Sequence, residues 1–513
     1  MSAWGISPYK TVTIPLGDYN ADYYLTIVYQ AMCNRNWHIG YFNHDGIIAY
    51  TNISLESYAE EVSVRIINNQ AVIKSECVGY QGFFTDYGKN EKNLELLLTE
   101  IEYAEFHLQQ VLEESTQELM DSIPSKQFIN LQDPPMAGKE KLHSFFSVFI
   151  PQRYYTITPI LVLINILVYI ATAVALSIAI KTVISHQYSD DETANNLIRN
   201  VYLNLGFNDR KLVLQGQIWR LLTATFLHFS LFHLLGNMIA LIYIGSLVES
   251  KVGKWNFLFL YLFTGIISSM VSVMWHSHAL AGGASGAIFG LFGIFLGLLS
   301  TNFYEPNARR AMLISTVIVV IINIAPIGEG IDHPAHFSGL ISGYLFGLLA
   351  YFGLTHSNSK VQRWGAVAAG LGITVVFVIC SVAYTPKYTL AQFDRLNTRT
   401  DSLSREIHHC FYSDDTTRQQ KLYTLQHEAL PKLAIFRNLV PQYKKLILPG
   451  ARKREAGIRE QLIVLQCQYY QLLYQEYQKQ NFTKYRPEIN RIYNRINALR
   501  SEWGDFVEQE GRE

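Results

Sequence analysis

Three groups of polar side chains interrupt long apolar stretches in the middle of this 513-residue chain. "HFSLFHLLGNM" brings His228, His233 and Asn237 into one apolar run, "AGGASGAIFGLFG" sets Ser285 among glycines, and "IDHPAHFSGLISG" carries Asp332, His333 and His336. A polar side chain in lipid costs free energy unless it is paired or faces water, so each of these residues is a candidate for function. Their types suit acyl transfer. A serine hydroxyl becomes an effective nucleophile when a neighbouring base takes its proton, and neutral histidine is the usual base near neutral pH. Attack on an amide also builds an oxyanion, which needs donors aimed at it. His233 and Asn237 lie four residues apart, on one helix face, and are candidate donors; N–H groups at a helix start around Ser285 would add to them. The expected chemistry is therefore attack by Ser285, with His336 as base.

Other intramembrane chemistries fit less well. Zinc proteolysis on a helix calls for His-Glu-x-x-His, which the chain lacks, and the pair His333 and His336 has no convincing third ligand. An aspartyl mechanism needs two carboxylates sharing a site, whereas Asp332 and Glu249 fall at opposite ends of their spans. No metal and no organic cofactor are expected. Asp332 could be the third member of a triad orienting His336 or a loop carboxylate, and His333 a loop residue.

The elements that must position these groups are apolar helices. Gly286, Gly290, Gly293 and Gly297 recur at spacings of four, three and four, and Gly339 and Gly343 at four. Such stripes let two helices approach closely, and most of them only pack helices. Here Ser285 stands at the edge of one stripe and His336 beside the other, so packing through both faces would bring them within hydrogen-bond reach.

Composition agrees with a membrane setting. Hydrophobic residues make up 49%, charged residues only 16%, and the formal net charge is zero. Without a basic stripe no nucleic-acid partner is expected, and the lipid bilayer is the expected surrounding. The five cysteines are far apart and form no zinc or disulfide pattern. "MSAWGISPYK" lacks a basic region followed by an apolar run, so no cleavable signal peptide is expected at this terminus.

The fold class predicted is mainly α: a polytopic membrane helical bundle with a soluble α+β domain before it and a soluble helical domain after it. Residues 1–120 read as the α+β domain, with hairpins at Asn43-His44-Asp45-Gly46 and Asn68-Asn69-Gln70, closed by the helix "NLELLLTEIEYAEFHLQQVLEE". It shows no catalytic constellation and suits regulation or scaffolding. Residues 121–155 form a linker marked by Pro124, Pro134 and Pro135. Residues 156–384 contain seven apolar segments, near 157–180, 221–247, 255–275, 285–300, 311–327, 334–353 and 365–384. Residues 385–513 are polar and helical in pattern, with Ile458, Leu462, Leu465, Tyr469 and Leu472 as a packing seam in a hairpin or small bundle. Lys139, Lys141 and Arg153 before the first span, with Lys251, Lys254, Arg309, Arg310, Lys360 and Arg363 in alternate loops, place the amino terminus in the cytoplasm. Seven crossings then put the carboxy terminus outside, in a plasma or bacterial inner membrane.

The ordered set Trp219-Arg220, "HFSLFHLLGN", "GGASGAIFG" and "HPAHFSG" resembles the rhomboid family of intramembrane serine proteases over about residues 157–384. The resemblance implies a six-helix core with a seventh, carboxy-terminal span. It implies Ser285 as nucleophile, His336 as general base of a dyad, His233 and Asn237 in the oxyanion hole, Gly283 and Gly286 in the Gly-x-Ser-Gly motif, and Trp219 and Arg220 in the lateral first loop. His228 matches the family's first histidine in the second span and suits a structural role. Where some members carry tyrosine four residues after the serine, this chain has Phe289, which keeps ring stacking and loses a hydroxyl contact. The implied function is hydrolysis of peptide bonds in or near transmembrane segments, of helix-destabilised substrates with a small residue before the cut. The alternative is a catalytically inactive rhomboid-like protein that binds membrane clients.

Overall fold

The computed structural model describes residues 8–52, 60–78, 86–124, 127, 131, 148–185, 191–277, 280–304, 306–324, 331–355, 360–412, 417–479 and 482–510. They fall into two compact units, Met1–Tyr384 and Thr385–Glu513. The first unit opens with β1 (Tyr9–Pro15), α1 (Ala21–Asn34), β2 (His38–Asn43), β3 (Gly46–Tyr50), β4 (Glu60–Ile67), β5 (Gln70–Cys77), α2 (Lys89–Leu108) and α3 (Leu112–Asp121). The five strands form an antiparallel sheet in the order β1-β5-β4-β3-β2. Both turns the sequence marks are two-residue hairpins. Asn68 and Asn69 join β4 to β5 with φ of 49° and 59°, a type I′ geometry that asparagine tolerates. At the other turn Gly46 sits at φ 152°, where a Cβ would lie 2.0 Å from the Val64 carbonyl oxygen. The expected long closing helix is broken: Gln109–Val111 turn the chain so that α3 folds back along α1, seating Leu112 and Leu119 against the core of this layer.

Alternation along the strands sorts the sheet into two faces. Phe42, Ile47 and Ala49 join Leu25, Val28, Leu97 and Ile101 under the helices. Tyr41, Ile48 and Tyr50 point the other way and belong to the hydrophobic cluster that contains Leu241, Ile244 and Leu247 of the membrane helices. All five residues of β3 are consequently buried.

The membrane part comprises α4 (Ile157–Ser185), α5 (Asp191–Leu205), α6 (Arg210–Leu214), α7 (Arg220–Thr223), α8 (Leu231–Val252), α9 (Lys254–Trp275), α10 (Ser285–Leu299), α11 (Pro306–Ile324), α12 (His333–Thr355) and α13 (Lys360–Tyr384). Five of these helices, α4, α8, α9, α12 and α13, hold stretches long and apolar enough to cross a bilayer, whereas α10 and the Met312–Ile321 part of α11 are shorter. The protein is an integral membrane protein. The second apolar segment starts later than its hydropathy suggests. Residues 220–226 form the short α7 and a 3-10 turn, and α8 begins only where the Ser230 side chain accepts the His233 N–H at 3.2 Å. On the opposite end of α8, the buried Glu249 carboxylate accepts the N–H groups of Thr156, Ile157 and Thr158 and so caps α4.

The glycine stripes divide their work. Added Cβ atoms at Gly339, Gly343 and Gly347 would lie 2.2, 2.0 and 2.5 Å from the carbonyl oxygens of Gly286, Gly290 and Ile294, so α12 and α10 touch backbone to backbone. Gly293 and Gly297 return the contact toward Leu340 and Tyr344. Gly286 and Gly290, by contrast, turn their missing side chains to Ser268 and Thr264 of α9. A single stripe on α10 thus serves two neighbours.

The second unit contains α14 (Leu390–Tyr412), α15 (Arg418–Thr424), α16 (Leu430–Arg437), α17 (Val440–Lys444), α18 (Gly450–Lys479) and α19 (Phe482–Glu510). Its core gathers Phe393, Leu433, Phe436, Tyr443, Ile463, Cys467 and Tyr470. Along α18 the buried apolar residues are Ala456, Ile458, Ile463, Cys467 and Tyr470; of the expected seam only Ile458 is among them. Leu462, Leu465, Tyr469 and Leu472 are half-buried instead, because α18 packs against α16 and α17 and also runs beside α19, which spreads its apolar contacts around the helix.

Candidate active site

The amino-terminal ends of α8, α10 and α12 meet the carboxy-terminal end of α9, and the polar residues collect there. Ser285 is the first residue of α10, half-buried. The segment before it is held extended from the side by the first loop: Ala281 exchanges both backbone hydrogen bonds with Asn208, at 2.9 and 3.0 Å, and the Gly283 N–H donates to the Ala224 carbonyl. Arg220 fixes that loop in turn. Its guanidinium donates to the carbonyls of Leu203 and Phe207 and to the Gln217 side chain, and it lies 4.6 Å from the centre of the exposed Trp219 ring.

His336 stands in the first turn of α12, 8% exposed. Its Nε2 is 2.9 Å from Ser285 Oγ, and its ring stacks on Phe289, one turn along α10, with centroids 4.4 Å apart and planes 24° off parallel. The serine and its neighbouring imidazole thus depend on the α10–α12 contact, with the Phe289 ring as a floor. His336 Nδ1 has no hydrogen-bond partner among the described residues.

His233 lies in the first turn of α8, close under Gly283: a Cβ on Gly283, whose φ is 148°, would meet the His233 ring at 2.8 Å. Only glycine leaves room for both that ring and the backbone turn into Ser285. Asn237, one turn further along α8, is buried, and its side-chain N–H₂ donates to nothing among the described residues. His228 packs edge-on to His233 at 5.1 Å and accepts the Ala284 N–H through Nε2 at 3.4 Å. Ala284 gives α10 no side-chain cap, so the first-turn N–H groups from Ser285 onward have no cap side chain to donate to. Gly286 completes the turn, held against Ser268.

Asp332 does not reach the His336 ring. Its carboxylate accepts the Ser272 hydroxyl, His276 Nε2 at 3.2 Å and the Ala335 N–H at 3.1 Å. Burial works against the charged carboxylate, but the hydrogen bonds from His276, Ser272 and Ala335 outweigh it and hold Asp332 below its ordinary pKa. The same bond to Asp332 raises the pKa of His276. His333 sits with its ring 6.4 Å from that of His336. No three His, Cys, Asp or Glu side chains among the described residues are grouped closely enough to hold a metal ion.

The linkage of Ser272 and His276 to Asp332 escapes sequence reading, because two polar residues near a helix end and a loop carboxylate give no signal of each other. Comparison with known proteins matches residues 215–352 to the Rhomboid domain. The chain is 34% identical over 149 residues to RHOMBOID-like protein 5 of Arabidopsis thaliana, covering 28% of this chain and 48% of that one. It is 37% identical over 180 residues to Rhomboid protease GluP of Bacillus subtilis, 34% of each chain, and 31% identical over 179 residues to Rhomboid-like protease 1 of Toxoplasma gondii, 34% of this chain and 60% of that one. The chain therefore spans only a third to three-fifths of these relatives. The matched residues run from the first loop into α12 and contain Ser285, His336, Phe289, His233, Asn237 and His228, so this part of the chain carries a Rhomboid domain.

Proposed function

We propose that this protein is a serine endopeptidase that hydrolyses peptide bonds in or near transmembrane segments of other membrane proteins. The observation that carries this reading is the 2.9 Å approach of Ser285 Oγ to His336 Nε2 on a stacked, buried imidazole. In the proposed reaction His336 Nε2 takes the hydroxyl proton as Ser285 Oγ attacks the scissile carbonyl. The oxyanion is met by the Asn237 amide, by His233 and by the first N–H groups of α10. His336 then gives its proton to the departing amine, and a water, deprotonated by the same nitrogen, releases the acyl group from Ser285.

The depth of the site suits such a substrate. With 15 residues α10 is about 22 Å long, short of the roughly 30 Å hydrocarbon layer, so Ser285 at its start lies below the outer surface if its other end reaches the inner one. A helix hides its carbonyls in internal hydrogen bonds, which favours substrates whose transmembrane segments unwind readily. The resemblance adds a small residue before the cut. In this reading residues 156–384 are the protease, and residues 1–120 face the cytoplasm as a regulatory or scaffolding layer. Residues 385–513 lie outside and are placed to recruit or orient substrate ectodomains.

A fluorophosphonate probe tests the central claim. It should label the wild type and lose its target in Ser285→Ala while still labelling Cys380→Ala. An unlabelled, well-folded wild type that also cleaves no membrane protein in cells would favour the inactive, client-binding alternative.

A further inference from the structure

We infer that Asp332 is a positioning residue that ties the first turn of α12 to the outer end of α9 and thereby holds His336 against Ser285. The inference rests on the proposed proteolysis for its catalytic meaning, but the tether itself is a matter of structure. A base that must lie within hydrogen-bond reach of a nucleophile needs its ring orientation fixed, and a carboxylate on the second ring nitrogen commonly does this. Here His336 Nδ1 has no such partner among the described residues. Orientation must come from the stack on Phe289 and from the backbone that carries the ring.

That backbone is anchored at Asp332. The His336 N–H donates to the Asp332 carbonyl at 3.1 Å, and the Ala335 N–H donates to the Asp332 carboxylate at the same distance, which makes Asp332 the cap of α12. The same carboxylate leaves its own helix for α9, where it takes the Ser272 hydroxyl and His276 Nε2. The α9 end is itself a fixed post. Arg210 of α6, only 4% exposed, donates through Nη1 to the carbonyls of Val273 and Met274 at 2.6 and 2.9 Å. The chain of restraint runs from α6 through the α9 end to Asp332 and then, one helical turn on, to the ring that meets Ser285. An ordinary cap would bond only its own helix; this one is bonded to a neighbour as well, by a hydroxyl and an imidazole.

Steady-state cleavage of a model transmembrane substrate by the full-length protein tests the idea, together with hydrogen–deuterium exchange at the first turn of α12. Asp332→Ala should lower kcat by about 10²-fold, the loss associated with a displacement of about 1 Å, with KM changed by less than about threefold. Asn is as good a cap as Asp but leaves one oxygen to replace two, so Asp332→Asn should lose no more than about tenfold. His276→Gln, further from the cap, should fall between that variant and the wild type. Exchange of the Ala335 and His336 amides should quicken in the same order. A folded Asp332→Ala protein with wild-type kcat overturns the inference, as does a loss confined to KM. If Asp332→Ala fails to fold, Asp332→Asn and His276→Gln carry the same comparison. If the wild type cleaves no substrate, the proteolysis reading fails separately, and exchange still decides the tether: unchanged protection at Ala335 and His336 in a folded Asp332→Ala protein overturns it.

Discussion

Replacing Gly339 by alanine tests whether the site depends on the backbone contact between α10 and α12. The new Cβ would lie 2.2 Å from the Gly286 carbonyl oxygen, 3.1 Å from its carbon and 3.4 Å from the Gly290 nitrogen. All three are backbone atoms, so no rotamer change relieves the clash. Carbon and oxygen settle at about 3.3 Å, which requires the two helices to separate by about 1 Å. Gly286 adjoins Ser285, and His336 lies one turn before Gly339, so the gap opens where the two side chains meet. Their 2.9 Å contact would stretch to about 3.9 Å, beyond the range of a hydrogen bond. The expected loss in kcat is on the order of 10²-fold, with about 1–3 kcal/mol of stability lost to overpacking. Gly372→Ala on α13 is the control, since nothing lies within 4 Å of its added Cβ, and it should leave both properties near wild type. The assay is turnover of a fluorogenic transmembrane peptide in detergent, beside a thermal unfolding scan of each variant. Wild-type kcat in a Gly339→Ala protein that unfolds like the wild type would refute the argument.

Ser285→Ala and His336→Ala should each abolish turnover, and the double variant should be little worse, because the two residues act as one unit; appreciable turnover by either single variant breaks the dyad assignment. Asn237→Ala should slow cleavage on the order of 10²-fold if its amide meets the oxyanion, and unchanged kinetics in a folded protein would make the residue structural. The His276–Asp332 bond makes a signed pH prediction. His276, raised by its bond to Asp332, contributes stability that is complete below its unfolded pKa of about 6.5 and is lost as pH climbs through the raised folded value. Asp332, lowered in the fold, contributes above its unfolded carboxylate range and loses that contribution as pH falls. The Tm difference between wild type and His276→Gln should therefore be largest at mildly acidic pH and shrink toward pH 8; a constant difference contradicts the pairing. Alkaline phosphatase fused after Glu513 should be active if that terminus lies outside the cytoplasm, and an inactive but stable fusion would reverse the proposed role of residues 385–513.

What the sequence made legible follows from contrast. Ser285, His233, Asn237 and His336 stand out because lipid-facing runs tolerate few polar groups, and the glycine spacing carries a helix-packing message that any reader can count. Asp332 carries no such contrast at a span's edge, where carboxylates are ordinarily solvated, and its partners Ser272 and His276 lie some sixty positions away. Gly286 and Gly290 were countable, but only coordinates separate the side facing α9 from the side facing α12. The break between α2 and α3 lacks glycine or proline, so local pattern runs straight through it; the fold-back onto α1 that stabilises it is a tertiary effect. Similarly, the seam along α18 assumed one partner helix, and burial from more than one direction moves the buried set by a residue or two.

The two-sided burial of β3 bears on how this protein can be handled in pieces. A fragment ending after α3 would carry Tyr41, Ile48 and Tyr50 into water on neighbouring antiparallel strands, one of them the edge strand β2. An apolar patch beside unpaired backbone groups is a template for association between copies. A fragment of this kind should therefore self-associate more readily than the full chain, which its radius of gyration in dilute solution would check, and folding of the chain has an order built into it. Residues 8–121 precede α8 in the chain and cannot finish burying their outer face until α8 has arrived beside them.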